Sequence, residues 1–157
     1  MRLDWAALVD TLHQAERVVL TSHVRPDCDA LGSELGMAGI LEAVGKDVRI
    51  VNAQETPASL RWIDPHNKLE SLARGVKPAD LDDRDLLIVL DTSAWAQLGA
   101  MGEVLKRNRE RVLVVDHHVS EDDLSDRWFK DTTAEATARI VYECLGSARR
   151  DGGGAQA

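Results

Sequence analysis

Apolar residues along the chain fall into helix-like and strand-like segments that alternate. In LDWAALVDTLHQA, residues 3–15, Trp5, Leu8, Val9 and Leu12 recur at helical spacing, and the β-rich run VVLT follows at 18–21. After the polar turn SHVRPD, the stretch from Cys28 to Val44 carries Leu31, Leu35, Met37, Ile40 and Leu41. With Pro26 just ahead of it and Gly45 as its stop, it predicts a helix of about 15 residues. A second apolar run, VRIV at 48–51, follows, and Thr56 to Gly75 around WIDP shows only a weak helical pattern.

The clearest signals are LLIVLD at 86–91 and VLVVDHH at 112–118, continuous runs of the kind buried on both faces of a parallel sheet, with MGEVLKRN between them as a crossover helix. TAEATARIVYECLG, 133–146, predicts an amphipathic helix with Ala136, Ile140, Val141 and Cys144 or Leu145 inward, and Thr132 or Thr133 near an acid at capping-box spacing. The ending ARRDGGGAQA loses this period. The expected organisation is one domain over residues 1–148 with a disordered tail at 149–157. Strands separated by helices, without a tandem repeat, predict an α/β fold: a three-layer, Rossmann-like parallel sheet flanked by helices, with right-handed connections. The pattern leaves strand order open.

Length and composition narrow the class. The 157 residues suit one domain, and 44% hydrophobic content is enough for a core. With 19 basic against 27 acidic side chains, the formal charge of -8 argues against a broad grip on nucleic acid or anionic membranes. Cys28 and Cys144 form no CxxC pair and are too few for a disulfide framework, which points to a reducing cytoplasm. Asp4, Asp10 and Glu16 interrupt the N-terminal apolar stretch, so neither a signal peptide nor a membrane span is expected.

The chemistry collects where the predicted strands end, the place where such folds bind ligands. VVLT leads into Ser22, His23, Pro26, Asp27 and Asp29; LLIVL leads into Asp91; VLVV leads into Asp116, His117 and His118. Asp27 or Asp29 alone could cap the following helix, but two aspartates and a histidine exceed what a cap requires. Asp91 could cap the next turn with Thr92 and Ser93, or bridge two cations with one oxygen on each. In Asp116-His117-His118, one imidazole can bind metal and the other can face a phosphoryl oxygen, with Asp116 orienting an imidazole.

Four carboxylates, Asp27, Asp29, Asp91 and Asp116, equal half of the formal net charge and cannot share a small pocket without cations or raised pKa values. Two divalent ions solve this, and the mixed oxygen and imidazole donors suit manganese while permitting magnesium, iron, cobalt or zinc. No serine or cysteine nucleophile is then needed. Ser22, Ser33 and Ser93 read as turn caps or phosphate hydrogen bonders, Cys28 as turning to the core, Gly32 and Gly36 as close packing against the sheet in preference to close approach of a phosphate, and His13 and His66 as structural. Neither a GxGxxG fingerprint nor a Walker loop is present.

SHVRPDCDALGS at 22–33, LDTSAWAQLG at 90–99, DHH at 116–118 and TAEATARIVYECL at 133–145 together resemble the DHH phosphoesterase superfamily. Its members include exonucleases of the RecJ type, small-oligonucleotide ribonucleases that also act on phosphoadenosine phosphate, and manganese pyrophosphatases. The resemblance implies that His23 and Asp27 serve one metal, Asp29 and His117 the second, and that Asp91 bridges them. It also implies that His118 contacts the reactive phosphate and Asp116 supports the DHH segment.

SHVRPDCDALGS looks closest to the nanoRNA-degrading and phosphoadenosine phosphatase branch, with Cys28 where glycine is common. The implied activity is hydrolysis of short oligoribonucleotides or 3'-phosphoadenosine 5'-phosphate with two divalent cations, Mn2+ first and Mg2+ second. The implied partners are short single-stranded RNA or a nucleoside bisphosphate. Members of the family carry a further aspartate on a later strand and a smaller C-terminal domain that closes over the cleft. Neither is expected within these residues, so the chain reads as the truncated N-terminal part of such an enzyme, with a homodimer possible through surface left uncovered. The competing readings are a manganese-dependent inorganic pyrophosphatase and a non-catalytic phosphate-binding or interaction module.

Overall fold

A computed structural model describes residues 3–120 and 122–151, with side chains through Ser147. In chain order the main elements are α1 (Trp5–Gln14), β1 (Arg17–Thr21), α2 (Cys28–Ala43), β2 (Asp47–Asn52), β3 (Leu69–Ser71), β4 (Leu86–Leu90), α3 (Met101–Arg107), β5 (Val112–Asp116), β6 (Trp128–Lys130) and α4 (Thr137–Asp151). All six strands join one sheet in the order β3-β2-β1-β4-β5-β6, and every pairing is parallel. The order reverses between β1 and β4, the point at which a doubly wound sheet opens a crevice beyond its strand ends. The registers Thr21↔Val89 and Leu90↔Val115 bring the ends of β1, β4 and β5 side by side.

Every residue of β4 and β5 is buried, which their unbroken apolar sequences require in a sheet covered on both faces. Val18, Leu20, Ile88, Leu90 and Val115 pack against Leu8 and Leu12 of α1, Met37 and Leu41 of α2, and Ile140 and Val141 of α4. On the opposite face Val19, Leu87, Val89 and Val114 pack against Met101, Val104 and Leu105 of α3. The alternation along each strand thus supplies one residue to each layer in turn.

The structure departs from the pattern-based expectation at several places. The three-residue strands β3 and β6, LES and WFK, are too short to show a period and escaped prediction. The weakly patterned segment before β3 forms a 3-10 turn, Ala58–Ile63. The last helix begins at Thr137, four residues later than expected: Asp131 Oδ1 accepts from both the amide (2.9 Å) and the hydroxyl (2.6 Å) of Thr133 and holds that segment in a turn. Cys144, rather than half-buried Leu145, faces the core. The backbone of α4 continues to Asp151, past the loss of apolar period, and the remainder of the expected tail lies outside the described residues.

Cys28 is exposed, not turned to the core. Gly36 packs against α4, not the sheet: a Cβ there would meet Val141 Cγ1 at 3.4 Å, whereas one on Gly32 would meet nothing within 4 Å. Among the described residues no helix is long and apolar enough to cross a membrane.

Candidate metal centre

His23, Asp27 and Asp29 leave β1 and enter α2, Asp91 follows β4, and Asp116, His117 and His118 end β5. The parallel register gathers them beyond one edge of the sheet, around Asp91. Asp91 is 2% exposed and sits at φ 64°, the left-handed region that an aspartate tolerates better than most residues. Its amide still donates to Val115 O at 3.1 Å, which ties the end of β4 to β5.

The two oxygens of Asp91 face different partners. Oδ2 lies 3.5 Å from His23 Nε2, which is itself 4.0 Å from Asp27 Oδ1. Oδ1 lies 3.5 Å from His117 Nε2, which is 3.6 Å from Asp29 Oδ2. Both imidazoles have Nδ1 occupied by a backbone carbonyl, His23 by Val24 O at 2.9 Å and His117 by Ala134 O at 3.1 Å. Neutral rings so held carry hydrogen on Nδ1 and aim the Nε2 lone pair at the carboxylates, the arrangement found behind metal-binding histidines.

Separations of 3.5–3.6 Å exceed ordinary hydrogen-bond length. They lie at the upper end of the spacing of about 3 to 3.5 Å between donors that share a cation at roughly 2.1 Å. The donor set therefore fits divalent cations, with His23, Asp27 and Asp91 forming one group that can hold an ion.

Asp27 also caps α2, accepting from Ala30 N at 3.0 Å, so the structural and the chelating readings of this residue coexist. Asp29 is fixed more firmly. Its Oδ2 and Oδ1 accept from the first amides of α4, Thr137 N and Ala138 N, each at 2.9 Å. A carboxylate from the start of one helix thus seals the amino end of another and meets its positive dipole end.

Asp116 is fully buried and serves the histidines beside it. Its Oδ1 accepts from the amides of His117 (2.8 Å) and His118 (3.2 Å) and from His118 Nδ1 at 2.8 Å. His118 Nδ1 also lies 3.8 Å from Asp91 Oδ1, close enough to join a second chelating group with Asp91 and His117. The much shorter bond to Asp116 assigns that nitrogen to Asp116 instead, and leaves Nε2 of this half-exposed ring for a ligand.

The electrostatics follow from crowding negative charge where water is excluded. Burial pushes the Asp91 carboxyl above the usual range, against the opposing contact with His23. That contact raises His23 to about 9 despite its own burial. In the absence of cations an imidazolium thus supplies the positive charge that the carboxylates demand.

Several supporting residues were not identified from the sequence. The Thr137 hydroxyl donates to Asp91 Oδ1 at 2.9 Å, from the first residue of a helix that the apolar pattern starts at 133. The Ser93 hydroxyl donates to Asp116 Oδ2 and Lys130 donates to Ser93 Oγ, a contact hidden by the unrecognised strand β6. Behind His23, Asn52 accepts from Ser22 N at 3.0 Å and donates to the buried Glu34 at 3.0 Å. Thr92 does cap its own turn, accepting from Ala94 N. His13 and His66 are exposed and outside the centre. A separate polar cavity of about 300 Å³ near the end of β3, lined by Glu55, Arg61, Ser71 and Arg74 among others, contains none of the clustered residues.

The chain is similar to several known proteins. The chain is 25% identical over 136 residues to the bifunctional oligoribonuclease and PAP phosphatase NrnA of Bacillus subtilis (strain 168), covering 87% of this chain and 40% of that protein. It is 29% identical over 149 residues to the cyclic-di-AMP phosphodiesterase GdpP of the same organism, covering 88% of this chain and 22% of that one. An exopolyphosphatase-related protein from Bacteroides fragilis shares the fold, with a TM-score of 0.84 at 23% identity over 92% of this chain and 43% of its own. The chain spans less than half the length of each of these proteins. Residues 17–156 match the DHH family, N-terminal domain, and the chain, with its Asp116-His117-His118 triplet at the end of β5, belongs to that family.

Proposed function

We propose that this domain is the metal-binding half of a phosphoesterase that hydrolyses short oligoribonucleotides or 3'-phosphoadenosine 5'-phosphate. The observation that carries the reading is Asp91, a buried carboxylate with one oxygen directed to His23 and the other to His117. His23 and Asp27 would hold one cation, Asp29 and His117 a second, and Asp91 both. Their oxygen and imidazole donors favour Mn2+, with Mg2+ as the second choice. Two such ions, when bound, would polarise a phosphoryl oxygen and acidify a water for in-line displacement.

The remaining work falls to the chain. Val24 O and Ala134 O hold the two metal-facing imidazoles in one tautomer, and the α4 amides hold Asp29. Asp116 takes His118 Nδ1–H, so that Nε2, when protonated, can donate to a substrate phosphate oxygen or to the leaving oxygen. The substrate class follows the relatives' own names, an oligoribonuclease with PAP phosphatase activity and a cyclic-dinucleotide phosphodiesterase. All of these substrates are phosphoesters of ribonucleotides. NrnA is more than twice as long as the matched region, and the substrate-closing domain implied by the resemblance would lie in that additional length. Two free cysteines, one of them exposed, suit a cytoplasmic setting.

The test compares Mn2+-dependent hydrolysis of 3'-phosphoadenosine 5'-phosphate, a 5'-phosphorylated diadenylate and inorganic pyrophosphate by the purified chain. Faster turnover of either nucleotide substrate is expected. Faster turnover of pyrophosphate would make the protein a pyrophosphatase, and tight binding of the nucleotides without metal-dependent product would make it a binding module.

A further inference from the structure

The segment that enters α4 meets the metal centre at several points. Ala134 O accepts from His117 Nδ1 at 3.1 Å, and Thr137 N and Ala138 N donate to Asp29 Oδ2 and Oδ1 at 2.9 Å each. Thr137, the first residue of the helix and fully buried, adds its side chain: Oγ1 donates to Asp91 Oδ1 at 2.9 Å. Among the described residues this is the only hydrogen bond of ordinary length that the Asp91 carboxylate receives. The imidazole nitrogens around it stand farther off, His23 Nε2 and His117 Nε2 at 3.5 Å and His118 Nδ1 at 3.8 Å.

An aspartate does not set the plane of its own carboxylate. The last torsion joins a tetrahedral carbon to a trigonal one and has broad, roughly two-fold wells, so contacts rather than rotamer preference fix it. Held as it is, Oδ1 looks toward His117 and Oδ2 toward His23. Turned about that torsion, the carboxylate could give both oxygens to one cation. When Nε2 of His23 and of His117 serves a cation, neither ring can donate to Asp91, and the Thr137 hydroxyl is the donor that remains. A carboxylate oxygen has two lone pairs, so Oδ1 can take this hydrogen and still serve an ion.

We propose that Thr137 is a positioning residue whose hydroxyl holds the Asp91 carboxylate with one oxygen toward each half of the centre, so that the chain takes up two divalent cations rather than one. This rests on the paired-cation reading above. The hydroxyl touches neither cation nor substrate in this role. Without it, the carboxylate is free to turn both oxygens to the first ion bound, and the second ion loses a ligand.

Two substitutions in the full chain isolate the hydroxyl. Thr137→Val keeps the branched shape and the amide that binds Asp29 but removes the donor, and Thr137→Ser keeps the donor. Calorimetric titration with Mn2+ should show two ions on the wild-type chain. In Thr137→Val the first ion should bind within about twofold of wild type and the second should weaken on the order of tenfold, with Thr137→Ser restoring both. Electron paramagnetic resonance should agree: a spin-coupled Mn2+ pair in wild type and Thr137→Ser, and an isolated-ion spectrum in Thr137→Val at the same loading. Thr137→Ala removes the same hydroxyl and serves if Thr137→Val fails to fold.

Two ions bound with wild-type affinities by the variant that folds would overturn the proposal. Equal weakening of both ions would also overturn it, because a merely structural residue loosens the whole centre. A wild-type chain that binds one ion overturns the proposal together with the paired-cation reading. If the second ion alone responds to Thr137→Val but the wild-type chain with Mn2+ does not hydrolyse bis(p-nitrophenyl) phosphate, Thr137 keeps its assignment and the phosphoesterase reading fails.

Discussion

His23 and Asp27 lie four residues apart in one turn, whereas the other side of Asp91 is assembled from Asp29 on α2, His117 after β5 and the first amides of α4. The Asp27 side chain is 66% exposed and its one structural duty is to cap its own helix. Asp29 is 21% exposed and joins two helices. One half of the centre is thus a local loop with its own cap, and the other is a tertiary joint whose donors are held by the packing of α4. The difference teaches that the second half ties its metal-facing carboxylate to the docking of α4, whereas Asp27 caps the helix it begins.

The largest effect should come from the residue the halves share. Asp91→Asn keeps a side chain that tolerates the left-handed backbone but removes the charge common to both. It should reduce calorimetric Mn2+ binding at both halves and lower hydrolysis on the order of 10³-fold. If one half still binds Mn2+ with unchanged affinity, Asp91 belongs to the other half alone.

Titration of the metal-free protein sharpens the contrast from the His23 side. Burial raises Glu34, behind Ser22 and Asn52, to about 7 from 4.5. The folded state then binds more protons than the unfolded one through this window, so stability falls as pH rises across it, by about 3 kcal/mol. His23, raised from 6.5 to about 9 by Asp91, adds in the same direction: its contribution is complete below pH 6.5 and is lost as pH rises through about 9. Calorimetry in EDTA should show the melting temperature declining from pH 5 to pH 9, with Mn2+ reversing the decline. Glu34→Gln should remove the lower part of the slope. A melting temperature that rises with pH would remove the imidazolium–carboxylate account of the cluster in EDTA.

The last two substitutions separate the halves directly. Without metal, Asp29→Ala should cost about 2 kcal/mol, because two charge-assisted bonds to the amino end of α4 are lost. Asp27→Ala should cost about 1 kcal/mol, the value of one helix cap. Urea unfolding measures both, and equal or reversed costs would break the distinction between a tertiary joint and a local loop.

The same distinction explains what was legible in advance. His23, Asp27 and Asp29 sit within seven residues, and the triplet at 116–118 ends the strongest strand signal, so local pattern exposed them. Thr137 escaped because its role depends on where α4 starts, and Asp131 delays that start by binding Thr133. Lys130 escaped because a three-residue edge strand carries no readable period. Ser93 reads from the sequence as a turn cap or phosphate hydrogen bonder, but its bond to Asp116 spans 23 positions and exists only because β4 and β5 are neighbours.

The amino-acid sequence by itself determined the alternation of strands and helices, the burial of β4 and β5, and the residue types gathered at strand ends, because each depends on periodicities of two to four residues. Tertiary structure alone decided the strand order, the two-sided exposure of the Asp91 oxygens, the sealing of α4 by Asp29 and the clamp of Lys130 on Asp116. Each of these joins residues distant in the chain, and their contacts form only when the layers pack and strands lie in register.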